Sequence, residues 1–236
     1  MSEQPWQIPD GWVWTKLEEA AVDLQTGFAS GKKNVIGGVP HLRMNNIGSD
    51  CKLDLSVLRT VPKELAQEKY LLKFNDILFC HTNSQKLVGK TAVFDLSVDS
   101  SFAFSNHLTR IRVNPEVALP AWVWHTLAAL WRIRYFETRC KLWVNQATVK
   151  RATILKVPVP LASLAEQRRI LNKLEAYYKG SRNARTSFEA AQRKLQVLDS
   201  VVPAKALRGE LSERDPLDEP VGAMLERAHE SRSLPK

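Results

Sequence analysis

The sequence predicts a mixed α/β (α+β) globular domain followed by a long, coiled-coil-type helical arm, and three observations carry that prediction. Short β-rich segments bounded by turn residues fill the first part of the 236-residue chain. Apolar residues then recur at spacings of three and four from Leu171 to Val202. The two regimes meet at the proline-punctuated stretch VPVPLASLAEQ. Domain limits follow as residues 1–160 for the globular part, 161–209 for the helix and 210–236 for a C-terminal docking tail. There is no apolar run of about 18 residues, and the opening MSEQPWQIPDGW lacks the basic and apolar regions of a secretory signal, so a cytoplasmic protein without a membrane partner is expected. Cys51, Cys80 and Cys140 are odd in number and widely separated, which argues for reduced structural thiols and against a disulfide framework or a zinc site.

Residues 6–26 form a turn, a short strand and a turn of helix anchored by Trp6, Trp12, Trp14, Leu17, Val22 and Leu24, with the tryptophans filling core. The loop GFASGKKNVIGG is not a phosphate-binding loop of the nucleotide type. Gly27 and Gly31 enclose three residues instead of four, and Lys33 follows Lys32 where a Ser or Thr is needed. Residues 39–44, 77–80, 90–94 and 108–113 are rich in β-formers and predict a mixed, largely antiparallel sheet. Pro120 opens a helix over residues 120–138 whose packed face holds Trp124, Leu127, Leu130 and Trp131, with His125 as a structural histidine.

Pro158 and Pro160 remove backbone donors and favour extended geometry, which predicts an exposed connector. Ser163 then caps a helix with Glu166 at the capping-box position. Its apolar seam reads Leu171, Leu174, Tyr178 and, after an interruption, Phe188, Ala191, Leu195, Leu198 and Val202. From Glu166 to Val202 such a helix extends about 55 Å, too far for one compact domain to cover, so the seam calls for a second copy or another subunit. Gly180 weakens the helix by about 1 kcal/mol relative to alanine. Pro203 is expected to end or kink it before Gly209, and a short helix follows at 221–229.

A net charge of +9 points to a polyanionic partner. Residues 1–160 hold 20 Lys and Arg against 14 Asp and Glu, and residues 161–209 hold 10 against 4, whereas the last 27 residues reverse the balance. Three polar and basic clusters can meet nucleic acid: Lys32, Lys33, Arg43, Asn45 and Asn46; then His81, Thr82, Asn83, Ser84, Gln85, Lys86 and Lys90; then Lys141, Asn145 and Gln146, followed by Thr148, Lys150 and Arg151. Amides pair with adenine edges and cations with guanine or phosphate, although Asn and Ser are also ordinary turn residues. No dinucleotide fingerprint, HExxH, nucleophile elbow or paired-cysteine array occurs. Asp76, Asp95 and Asp99 have no metal-ligand spacing, and His81, His107 and His125 lack a visible nucleophile, so no catalytic residue and no metal are assigned.

The ordered motifs IPDGWVWTKLEEAA, HLRMNNIG, LLKFNDILFCHTNSQKLVGKTAVF, NQATVKRATILKVPVPLASLAEQRRILNKLE and AKALRGEL span essentially the whole chain. With them the chain resembles the specificity subunits of type I restriction-modification systems. The resemblance implies a target-recognition domain that reads one half of a bipartite double-stranded DNA sequence. It also implies a helical spacer that binds methyltransferase subunits. S-adenosylmethionine belongs to those partners, so this chain is expected to be non-catalytic and to hold no cofactor. A separate motor-nuclease subunit cleaves DNA. Full-length members carry two recognition domains and two spacers, whereas each motif occurs once here, which implies a half-sized form pairing head-to-tail as a homodimer on inverted half-sites. An autonomous DNA-binding regulator and a non-catalytic assembly protein are the competing accounts.

Overall fold

The computed structural model describes residues 4–96, 101–211, 213 and 215–232; Asp99 lies outside them. Two compact units divide between Glu175 and Ala176. The first opens with β1 (Val13–Lys16), α1 (Leu17–Ala20), β2 (Ala21–Thr26), β3 (Val39–Leu42) and β4 (Arg59–Val61). It continues with β5 (Ile77–Cys80), β6 (Thr82–Asn83), β7 (Thr91–Val93), β8 (Ala103–Phe104), β9 (Leu108–Val113) and α2 (Pro120–Arg132). Then come β10 (Lys141–Trp143), β11 (Gln146–Thr148), α3 (Arg151–Leu155), β12 (Pro158–Leu161) and the start of α4 (Leu164–Leu207), with α5 (Val221–Arg232) following in the second unit. A mixed α/β domain followed by a long helix is therefore the observed class.

The main sheet runs β2-β9-β5-β7, all antiparallel. Its centre, β5, is buried on both faces, as the unbroken ILFC run requires. Ile77 and Phe79 enter one core with α2, while Leu78 and Cys80 enter a second with Leu42, Ile47 and Phe104. In β9 the same alternation sends Ile111 and Val113 to the α2 side and Leu108 to the other.

That second face also carries Arg110 and Arg112. Arg112 grips Asp76 through Nε–Oδ1 at 2.7 Å and Nη2–Oδ2 at 3.1 Å. Arg110, only 3% exposed, pairs with Asp23 and donates to the carbonyls of Lys69 and Leu71. Asp76 accepts in addition from the Lys73 amide at 2.7 Å. The network ties the loop before β5 to β2 and β9 with side chains that no local pattern pairs.

Three expectations change. Residues 157–160 are buried, not an exposed connector: β12 pairs antiparallel with β1, Lys16 against Pro158 and Trp14 against Pro160. β12 has one strand neighbour, so prolines at alternate positions turn their missing donors away from β1, and the Pro160 carbonyl accepts from Trp122 Nε1 at 2.7 Å. The helix expected over 120–138 stops at Arg132, where Arg134 takes φ 61° and the Tyr135 amide closes onto the Leu130 carbonyl. The strand expected at 39–44 ends at Leu42, because Met44–Asn46 form a 3₁₀ turn closed by the Asn46 side chain.

Ser163 caps α4, its Oγ accepting from the Glu166 amide at 3.2 Å. The helix then runs unbroken past Gly180 and through Pro203, which removes one hydrogen bond without ending it, and stops at Gly209 with φ +72°. Its 44 residues span about 66 Å. The compact unit reaches Glu175 instead of stopping at residue 160, since Gln167 is fully buried and Ile170 and Leu171 pack on the α2 core. Leu171 thus leaves the expected pairing seam, because its own domain covers it. Leu174 is half-buried, whereas Tyr178, Phe188, Ala191, Leu195, Leu198 and Val202 are exposed.

Removing Asp76 takes from Arg112 its carboxylate partner and from the Lys73 amide its acceptor, and leaves Arg110 with Asp23 alone. Asp76→Ala is expected to destabilise the domain by about 3–5 kcal/mol, read by urea denaturation. A loss within a few tenths of a kcal/mol would show that the network does not hold the loop to the sheet.

Candidate nucleic-acid interface

The three polar clusters all lie in the first unit. The first lines a cleft of about 230 Å³ whose walls include Lys32, Lys33, Arg43, Asn45, Arg59, Asn106 and His107. The floor is the sheet β4-β3-β8, in which His41 faces Arg59 across an antiparallel pair and Ala103 across a parallel one. Gly27 sets the position of the lysine loop: a Cβ there would lie 2.2 Å from the Phe104 carbonyl oxygen, so only glycine lets β2 leave so close to β8.

The turn carrying His107 joins the cleft to the second cluster. Its carbonyl accepts from the His81 amide at 3.1 Å and the Thr82 amide at 3.4 Å. From there Ser84, Gln85 and Lys86 are exposed, and Gln85 Nε2 donates to the Glu137 carbonyl at 3.1 Å. Asn83 is half-buried, and its Oδ1 accepts from the Ser84 amide at 2.8 Å.

β6 hands the surface on to the third cluster, because β11 pairs with it and β10 with β11. Lys141 and Trp143 share a face with Gln146 and Thr148, and Thr148 meets Thr82 hydroxyl to hydroxyl at 3.4 Å. At the tip Asn145 takes φ 61°, a conformation asparagine tolerates. Leu142, Trp143 and Val144 all stand exposed there, and the Lys141 ammonium sits 3.9 Å from the Trp143 ring centroid.

Three residues expected to contact a ligand have structural work instead. Asn46 is buried, its Nδ2 donating to the carbonyls of Asp54 at 2.8 Å and Val57 at 3.0 Å while its Oδ1 accepts from the Arg43 amide. Lys90 is buried with its ammonium on the Ile47 carbonyl. Thr82 is buried under the hairpin. Arg59, His41 and Asn106 also line the cleft, and Trp143 stands exposed on the hairpin, although none was singled out from the sequence. The first three face the cleft only through pairings between distant strands, but a tryptophan beside a lysine in KLWVNQAT, a hairpin with a two-residue loop, was a readable signal.

Burial lowers the His81 pKa to about 4, with nearby His107 adding to it, and His81 Nδ1 meets the Thr109 hydroxyl at 2.9 Å. Burial likewise lowers His125 to about 4, with Arg132 contributing. The thiols of Cys51, Cys80 and Cys140 are free, and burial raises the pKa of each. Among the described residues no group of three His, Cys, Asp or Glu is placed to hold a metal, and no helix is long and apolar enough to cross a membrane.

No protein-family model matches the chain. A Methanocaldococcus jannaschii chain named for the MjaX type I restriction enzyme specificity subunit is 28% identical over 174 residues, covering 72% of this chain and 40% of that one. The Escherichia coli K12 EcoKI specificity subunit is 27% identical, with 88% and 45% covered, and the Salmonella potsdam StySPI subunit is 27% identical, with 87% and 44% covered. Among solved structures, the HsdS subunit from Thermoanaerobacter tengcongensis aligns with a TM-score of 0.60 at 21% identity over 88% of this chain and 47% of that one. A chain from a study of type I R-M system assembly aligns with a TM-score of 0.63 at 20% identity, over 88% and 48%.

Both histidines bind a proton in the unfolded chain near the ordinary pKa of 6.5, but in the folded chain only near 4. Stability is therefore full above pH 6.5 and falls as the pH drops toward 4. Thermal melts from pH 7 to pH 4.5 should show this decline, and His125→Gln should flatten it. An identical pH slope in the variant would refute a buried neutral imidazole at 125.

The chain is similar in sequence to type I restriction enzyme specificity subunits, and it spans a little under half the length of the relatives it matches.

Proposed function

We propose that this chain is a non-catalytic DNA sequence-recognition subunit of a type I restriction-modification complex, reading one half-site and positioning methyltransferase subunits. The observation that carries this reading is the linkage of the three polar clusters. Cations of the cleft, amides and hydroxyls of residues 83–86 and the 141–146 hairpin are linked in that order through the His107 carbonyl and the β6-β11-β10 pairing. Phosphate-directed cations set affinity and orientation, while side chains that reach base edges set sequence preference. Lys32, Lys33 and Lys86 serve the first role. Asn45, Gln85 and Gln146 have exposed amides for the second.

The exposed stripe from Tyr178 to Val202 serves assembly. In a head-to-tail homodimer two such helices cover each other and hold two recognition domains on inverted half-sites, spaced by helix length. S-adenosylmethionine chemistry resides in the methyltransferase subunits bound along this arm, and DNA cleavage in a motor-nuclease subunit.

Binding to a randomised duplex library tests the reading side. Lys32→Ala or Lys86→Ala should weaken all sequences alike and make the salt dependence shallower by about one unit of slope. Asn45→Ala or Gln85→Ala should change the preferred bases instead. Equal binding by all four variants and the parent would count against this division.

The arm is tested separately. Leu195→Asp with Leu198→Asp should shift the chain from dimer to monomer in sedimentation and abolish the preference for inverted repeats, while leaving the melting of the first unit unchanged. A parent chain that is monomeric in solution and does not co-purify with a methyltransferase subunit would rule out this assembly.

A further inference from the structure

We infer that the cleft floored by β3 and β4 is a seat for a single phosphate group. Four cations reach it from three elements: Lys32 and Lys33 from the loop after β2, Arg43 beyond β3, and Arg59 from β4. Among the described residues none of them has a carboxylate within 4.0 Å, although on the neighbouring sheet Arg110 has two and Arg112 has one. Clustered cations with no counter-charge repel one another. Desolvation, and then Arg59, hold the Arg43 guanidinium below its usual pKa.

An independent observation lies beneath them. His41 is 4% exposed, lines the cleft, and its Nε2 has no hydrogen-bond partner; the buried Nε of Arg43 also lacks one. Arg43 Nε is always a donor and His41 Nε2 is one in the Nε2–H tautomer; buried donors without acceptors are costly, and an acceptor-rich anion seated against them relieves that cost. The volume of about 230 Å³ lies below the roughly 300 Å³ at which small-molecule and cofactor pockets begin, and it admits a tetrahedral oxyanion with part of a sugar. Phosphate chemistry fits, because its several oxygens receive donors arriving from separate elements.

Two sources supply such a group: a phosphodiester of the DNA backbone or a free phosphorylated small molecule. The first rests on the recognition role proposed above, the second does not. Inorganic phosphate titrated into the full chain, followed by amide chemical shifts, should move residues 32–33, 41–45 and 105–107. Arg43→Gln and Arg59→Gln should each weaken that binding about tenfold or more, with Arg43→Lys restoring part of it. The melting curve of each variant reports whether it folds.

The DNA arm uses duplexes in which one neutral methylphosphonate replaces each phosphate in turn. One position should lose affinity by the same factor as Arg43→Gln, and combining the two should cost no more than either. Phosphate binding with no such position keeps the seat and assigns it to a free ligand. Phosphate binding by a chain that binds no DNA keeps the seat and removes the recognition role. If inorganic phosphate moves no cleft amide and Arg43→Gln binds DNA as the parent does, the seat is refuted, whatever else the chain recognises.

Discussion

Burial of β5 on both faces is the constraint from which the rest of the first unit follows. A four-residue apolar strand with Ile77 and Phe79 on one side and Leu78 and Cys80 on the other demands two cores. One is closed by α2, β12 and the first turns of α4, the other by the strands that floor the cleft. The sheet is therefore a shared wall between the root of the helical arm and the cationic surface. Its second face admits Arg110 and Arg112 only because Asp23 and Asp76 neutralise them there. β5 also leads, through His81 to Asn83, into the exposed run Ser84 to Lys86, so that loop hangs from a strand buried on both faces.

Gln167 does for the arm what Asp76 does for the sheet. Fully buried, it accepts from the Leu119 amide at 2.9 Å and donates to the carbonyls of Ala162 at 2.9 Å and Val117 at 3.4 Å. A carboxamide has both an acceptor and donors, so it satisfies groups from the segment before α2 and from the end of β12 together. The first turns of α4 are thereby fixed in the domain core. Beyond Glu175 the helix enters the second unit, and its apolar residues turn to solvent.

Much of the fold was legible because it is locally encoded. β5 and β9 have the limits that their β-formers and flanking Asn, Asp and Pro predict, and Ser163 caps where its spacing to Glu166 says it should. What escaped was settled by distant partners. Prolines 158 and 160 read as a connector until β1 supplies a strand on the side where their donors are not needed. Lys90 looks like a surface cation, but the Ile47 carbonyl, 43 residues away, takes its ammonium into the interior. His41 and Arg59 meet only through the β3–β4 register. The unpaired arginines of the cleft were equally invisible, since nothing in a linear sequence shows that a carboxylate is missing.

Asn45 and Asn46 show how the surface at the cleft can change without refolding the protein. They are adjacent and chemically identical, yet Asn46 holds a 3₁₀ turn and a loop together through two distant carbonyls, whereas Asn45 projects into solvent at the cleft. Substitution at the first leaves buried groups unsatisfied. Substitution at the second alters only what the surface presents. The same division separates Thr82 and Lys90 from Ser84, Gln85 and Lys86 in the loop after β5. Phosphates are the same in every duplex, so the groups that grip them can be built into a fixed floor of strands. Base edges differ from site to site, and residues that read them belong where neither core depends on their identity.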